Sequence, residues 1–267
     1  MARYNPHMPR IENHAPGTFC WVELATTDQI GAKVFYASLF GWTPADFPLG
    51  PNDYYTMFKL SGGDAAAGYT MRAEERATVP PHWNLYVAVA SADDTAKRAA
   101  ELGGKVIDPP FDVMAFGRMA VIQDPTGAVF CVWQAMQHIG TTVAGESGTL
   151  CWADLSTPDP DRAKQFYEAL FGWKAVLGEK DTSGYLHIQN GQQFIGGIPP
   201  AAYRNPHTPP HWLLYFQVAD CDVSTAQAKQ LGAPELMAPM TMDNVGRFSV
   251  VADPQGAAFS LFQPPTR

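Results

Sequence analysis

The chain has 267 residues and a formal net charge of −8, with 18 Lys and Arg against 26 Asp and Glu and no basic run. This leaves no place for the clustered cations that nonspecific binding to nucleic acid or an anionic membrane requires. At 46% hydrophobic and 16% charged residues it has the composition of a folded domain protein rather than a disordered one.

Met1 to His7 lacks the apolar core of a signal peptide, and no segment approaches the roughly 18 uninterrupted apolar residues of a membrane span. The four cysteines include no CxxC pair, so buried free thiols in a cytoplasmic protein are expected. Residues 1–16 read as an N-terminal arm. Next, Phe19, Trp21 and Glu23 alternate with Cys20, Val22 and Leu24, the period-two pattern of a strand. Asp28 stands where an N-cap is expected, Ala32, Phe35, Tyr36 and Leu39 follow at helical spacing, and Gly41 supplies the stop. Residues 54–60 and 65–71, joined by Ser-Gly-Gly-Asp, predict a hairpin. After a proline-rich connector, His82 opens a strand over 83–89, and a helix is predicted over 93–102 with Gly103 as its end. Strands around Val106 and over 119–122 lead through Asp124-Pro-Thr-Gly127 into a last strand over 128–133.

The whole order is then written a second time. Gly17-Thr-Phe-Cys-Trp21 returns as Gly148-Thr-Leu-Cys-Trp152, and Phe35-Tyr-Ala-Ser-Leu-Phe-Gly-Trp42 as Phe166-Tyr-Glu-Ala-Leu-Phe-Gly-Trp173, both offset by 131 residues. Pro80-Pro-His-Trp83 returns as Pro209-Pro-His-Trp212, and Asp124-Pro-Thr-Gly127 as Asp253-Pro-Gln-Gly256, offset by 129. This period exceeds that of solenoid repeats and matches the size of an ordinary domain. The expected organisation is an arm over 1–16, a first domain over 17–136, a Gly- and Thr-rich linker over 137–147 and a second domain over 148–267, as a monomer or a homodimer.

A strand-helix-strand-strand-strand unit whose helix closes on Phe-Tyr, four residues and Gly-aromatic, and whose last strand follows Asp-Pro-x-Gly, resembles the vicinal oxygen chelate superfamily. That group includes glyoxalase I, extradiol dioxygenases and bleomycin-resistance proteins. The resemblance covers Gly17 to Gln263, and the tandem arrangement with its Pro-Pro-His-Trp blocks is most similar to the actinobacterial antigen and hydroxylase-like subgroup. It implies an α+β fold of two tandem domains, four βαβββ units whose curved mixed sheets surround a cavity, usually over a divalent metal. The family's metal-ligand positions fall on Trp21 and Trp152, near Gly68 and Gly197, near Asn84 and Leu213, and on Cys131 and Ser260. A divalent site needs three or more converging His, Asp or Glu side chains. No metal and no cofactor is therefore expected.

Glu23 and Asp154 share the cavity face with these positions, as do His82 and His211. One carboxylate and one His in each domain make an acid/base pair, and these are the candidate catalytic residues. Each has a structural alternative: a His bonded to backbone at the start of its strand, and a carboxylate paired with Arg118 or Arg247. Candidate ligand contacts are Trp21, Asn84, Tyr86, Cys131 and Trp133 in the first domain, and Trp152, Leu213, Tyr215, Ser260 and Phe262 in the second. The competing expectation is that these rings plug the cavity. Trp42, Trp173, Phe35-Tyr36 and Phe166-Tyr167 read as packing residues. The expected function is metal-independent binding of a small hydrophobic molecule, aromatic or polyketide-like, for sequestration or for acid/base catalysis. The alternatives are a metal-dependent glyoxalase-like lyase, hydroxylase or dioxygenase, and a non-catalytic antigen-like protein.

Overall fold

The computed structural model describes residues 10–51, 53–178 and 182–265. Residues 1–9 of the arm, and with them the reading of Met1 to His7, lie outside the described residues. The first half runs β1 (Phe19–Thr26), α1 (Gln29–Phe40), β2 (Thr43–Gly50), β3 (Asp53–Leu60), β4 (Gly63–Thr70), a short α2 (Ala73–Arg76), β5 (His82–Ala88), α3 (Ala92–Glu101), β6 (Lys105–Val113), β7 (Gly117–Gln123) and β8 (Val129–Ala135). The second half runs β9 (Leu150–Ser156), α4 (Pro160–Phe171), β10 (Lys174–Leu177), β11 (Leu186–Asn190), β12 (Gln193–Ile198), β13 (His211–Gln217), α5 (Cys221–Gln230), β14 (Glu235–Met242), β15 (Gly246–Ala252) and β16 (Ala258–Gln263). No helix among the described residues is long and apolar enough to cross a membrane.

Each half forms one eight-stranded open sheet, in the orders β2-β3-β4-β1-β5-β8-β7-β6 and β10-β11-β12-β9-β13-β16-β15-β14. The two βαβββ units of a half join where β1 runs antiparallel to β5, and β9 antiparallel to β13, while β4 and β8 flank the first join in parallel. The capping residues act as their chemistry requires: Asp28 accepts from the Gly31 amide at 2.9 Å, and Gly41 ends α1 at φ +71°, the left-handed region that costs glycine nothing. Strand β2 carries Pro44 and Pro48 and lies at the sheet edge, where a missing N–H breaks no ladder; for the same reason no strand signal marks it in the sequence.

All eight residues of β1 are buried, because both faces of its sheet are covered. On one face the halves share a single core, with α1 against α5 and α3 against α4. The helix motifs with their Tyr and Trp, and the Asp of each Asp-Pro-x-Gly turn, are the two sides of this junction. Tyr36 donates to Asp253 and Tyr167 to Asp124, each at 3.0 Å, and the tyrosine oxygens accept from Trp83 and Trp212 at 3.2 Å. Trp42 donates to the Gly148 carbonyl at 2.9 Å and Trp173 to the Gly17 carbonyl at 2.8 Å. Phe40 and Trp42 also meet Phe216, and Phe19 meets Trp173 and Trp212, all with ring centroids within 5.7 Å. A fully buried ring of this size contributes about 2 to 3 kcal/mol, so the junction is part of the core and not a loose contact between separate domains.

Candidate functional site

The opposite face of each sheet, away from α1, α3, α4 and α5, carries the candidate residues. In the first half Tyr86 lies beside Trp21, Asn84 beside Glu23, Cys131 beside Tyr86, and Trp133 beside Ala88. In the second half Tyr215 lies beside Trp152, Leu213 beside Asp154, Ser260 beside Tyr215, and Phe262 beside Gln217.

A buried carboxylate is costly unless donors surround it. Glu23 accepts from the Tyr86 hydroxyl at 2.8 Å and from the Tyr55 hydroxyl, whose oxygen accepts from the Trp21 indole at 3.2 Å. Asp154 is held more fully. Its Oδ1 accepts from Tyr185 at 2.5 Å and Trp152 at 2.9 Å, and its Oδ2 from Tyr215 at 2.8 Å. Burial pushes both carboxyls above the usual carboxylate range, these hydrogen bonds pull them partly back, and Glu75 pushes Glu23 further up.

The arginine alternative is overturned. Arg118 binds Asp93 at 2.7 Å and Asp112 at 2.8 Å, and Arg247 binds Asp222 at 2.6 Å, because each guanidinium reaches the first turn of the neighbouring helix rather than the carboxylate face. His82 and His211 place Nδ1 2.8 Å from the Pro80 and Pro209 carbonyls, the backbone bond that the structural alternative expects. Neither makes a hydrogen bond to Glu23 or Asp154. Tyrosines, not histidines, meet the carboxylates. Sequence reasoning passed over Tyr55 and Tyr185, although they too are a repeat pair, offset by 130 residues. His187 was also missed; it stands in β11 opposite Gly197, which itself stands opposite Asp154, so only a glycine separates them across the sheet. Gly197 is bare for a reason: a methyl group there would overlap the Tyr185 hydroxyl.

The two faces differ in how they are closed. In the first half Cys20, Trp21, Met57, Ala67, Tyr86, Cys131 and Trp133 pack into a cluster of their own, and Trp21 is only 4% exposed. Residues 136–143 return across it. Thr141 N donates to Cys20 O at 2.7 Å, Thr142 N to Asp64 O at 2.9 Å, and Trp133 to His138 O at 2.8 Å, while the His138 ring stands edge-on to Trp21 at 4.7 Å. The expected linker is therefore a strap fastened to the first sheet. In the second half Trp152, Tyr185, His187, Leu213, Phe248 and Phe262 are only partly buried, and among the described residues no segment crosses them in this way. Asp154 and Tyr215 lie buried at the base of this half-open bowl. Ser260 is fully buried and donates to Ser249 O at 2.8 Å, which takes its hydroxyl away from the bowl.

The strap can be loosened at one point. Gly140 has φ +107°, and a methyl group there would overlap the Cys20 carbonyl. Gly140→Ala is expected to cost about 1 to 3 kcal/mol and to speed hydrogen exchange at the Thr141 and Thr142 amides ahead of the rest of the sheet. Unchanged protection at both amides would show that the strap does not depend on this contact.

A divalent metal does not fit these side chains. The positions where the resemblance places ligands hold indoles, an amide, an aliphatic chain, glycines, a hydroxyl already spent on backbone, and a Cys131 thiol whose ionisation burial opposes. Among the described residues no three His, Cys, Asp or Glu side chains converge to hold a metal ion.

The model of the Glyoxalase/Bleomycin resistance protein/Dioxygenase superfamily matches residues 18–132 and 149–261. Over 261 residues the chain is 41% identical to the Mycobacterium bovis protein named "Putative glyoxylase CFP32", covering 96% of this chain and 98% of the relative. It is 33% identical over 264 residues to the anthracycline biosynthesis protein DauV of Streptomyces sp. (strain C5), covering 93% and 94% of the two chains. The Mn(II)-bound glyoxalase from Novosphingobium aromaticivorans shares the fold, with a TM-score of 0.64 at 17% identity over 93% of this chain and 82% of that one.

Proposed function

The chain belongs to the Glyoxalase/Bleomycin resistance protein/Dioxygenase superfamily, and from that premise we propose that it is a metal-independent small-molecule protein whose second domain takes up a hydrophobic, aromatic or polyketide-like compound. The observation that carries this reading is Asp154, held by Tyr185, Tyr215 and Trp152 at the base of a half-open aromatic bowl, while in the first half the strap is fastened over Trp21, the counterpart of Trp152. Ligand sites pair an apolar wall with a few convergent polar groups, and that is the composition of this bowl. Trp152, Phe248 and Phe262 supply planes for stacking, and the Asp154 group fixes orientation and takes the place of water. A carboxyl whose protonation burial favours can also exchange a proton with a bound carbonyl compound. The relative named for anthracycline biosynthesis supports a planar polyketide as the ligand class.

The test is calorimetric titration with a simple hydroxyanthraquinone before and after exhaustive chelation. Binding is expected to survive chelation, to weaken at least about tenfold in Trp152→Ala, and to change little in Trp21→Ala. Loss of binding on chelation would overturn metal independence, and equal losses in the two variants would overturn the choice of domain.

A further inference from the structure

The donors of the second bowl are already spent, and this restricts what its ligand can be. The hydroxyls of Tyr185 and Tyr215 and the indole N–H of Trp152 all point to Asp154. Toward the bowl they leave lone pairs and π faces. A ligand must therefore donate hydrogen bonds to this group, not accept them.

The charge balance points the same way. The Lys and Arg ion pairs of the described residues all go to other acids: Lys33 to Asp46, Lys59 to Asp64, Arg98 to Glu101, Arg118 to Asp93 and Asp112, Lys229 to Glu235 and Arg247 to Asp222. Around Asp154 stand Tyr185, Tyr215, Trp152 and His187, and His187 is the one titratable nitrogen among them. His187 itself lies within ring contact of Tyr185 at 4.9 Å, Phe194 at 5.6 Å and Trp152 at 6.3 Å, and Tyr215 within contact of Phe248 at 6.0 Å. A carboxylate without a Lys or Arg partner, walled by electron-rich rings, attracts a positive charge through both its own field and the ring quadrupoles. The first half repeats the arrangement independently. Tyr86 and Tyr55 donate to Glu23, Trp21 donates to Tyr55, and Tyr69 donates to Glu75 at 2.6 Å, which spends the phenol and indole donors there too, although Asn84 beside Glu23 carries an amide donor where the second half has Leu213.

We infer that the second domain selects an organic cation: a hydrophobic compound carrying a protonated amine, with its N–H groups on the Asp154, Tyr185 and Tyr215 oxygens and its apolar body against Trp152, Phe248 and Phe262. This rests on the second bowl being the ligand site, and the test separates the two. Three anthracenes of one shape are titrated calorimetrically at neutral pH, bearing an aminomethyl, a hydroxymethyl or a carboxylate group at the same carbon. The amine is expected to bind at least about tenfold tighter than the alcohol, with the carboxylate weakest. Asp154→Asn should remove that preference, bringing the amine to the affinity of the alcohol in the same variant, and Tyr215→Phe should reduce it in part. An alcohol that binds as tightly as the amine, or an amine preference that survives Asp154→Asn in a folded variant, would overturn the inference and leave the proposed site standing. Failure of all three compounds to bind would remove the proposed site, and the inference with it.

Discussion

Asp124→Ala is expected to lower the free energy of unfolding by about 3 kcal/mol or more, which few single substitutions in this chain should exceed. Its Oδ1 accepts from the amides of Thr126, Gly127 and Ala128 at 2.7 to 3.1 Å and from the Thr126 hydroxyl at 2.8 Å, while Oδ2 accepts from Tyr167 of the other half. Removing the carboxylate orphans a whole turn and a buried phenol together. Tyr167→Phe takes away only the last of these bonds and should cost about 1 kcal/mol. Urea denaturation of both variants, followed by tryptophan fluorescence, gives the comparison. Equal small losses would mean that the turn does not depend on Asp124.

The second large effect has the opposite sign. A carboxyl whose folded-state pKa lies above its unfolded value stabilises the fold fully below that unfolded value, about 4, and this contribution is lost as pH rises through the folded value. Glu23 and Asp154 are both shifted upward by burial. Glu23→Gln and Asp154→Asn should therefore each raise stability at pH 7 by about 1 kcal/mol or more and flatten its decline above pH 4. The tyrosine hydroxyls can turn to accept from the new amides, so the amides need not be left without partners. A gain in stability with a loss of amine selectivity is the mark of a functional acid, because a structural one would lose stability when changed. Urea melts at pH 5 and 7.5 settle the sign, and a Gln or Asn variant less stable than the parent at pH 7.5 would contradict it.

Much of the fold was legible because each local signal agreed with the global arrangement. Asp28 and Gly41 bracket α1 as their chemistry demands, and the Ser-Gly-Gly-Asp stretch joins β3 to β4. β2 was not legible, since an exposed edge strand with two prolines carries no periodic signal. The face that carries the candidate residues was legible too: with period-two alternation, locating Trp21 and Trp152 placed Glu23 and Asp154 on the same face. The partners of those acids were not. Local order along a strand says nothing about what a neighbouring hairpin brings across, so His82 and His211, nearby in the pattern, drew attention that belonged to Tyr55 and Tyr185. His187 occupies the position of Met57 in the first half, and a repeat comparison is blind to a residue present in only one copy.

The reciprocal junction has a consequence for divergence. Each half offers the other the same set of groups, an isologous contact of the kind two identical subunits make about a two-fold axis. In a true pair of identical subunits every mutation appears on both sides at once, so a strap that closed one bowl would close both. Covalent joining lifts that constraint everywhere except at the junction itself, where Tyr36 must still suit Asp253 and Tyr167 must still suit Asp124. One half is thereby free to become a sealed foundation while its twin stays open, whereas the Tyr, Asp and Trp groups of the junction must keep fitting each other in both halves.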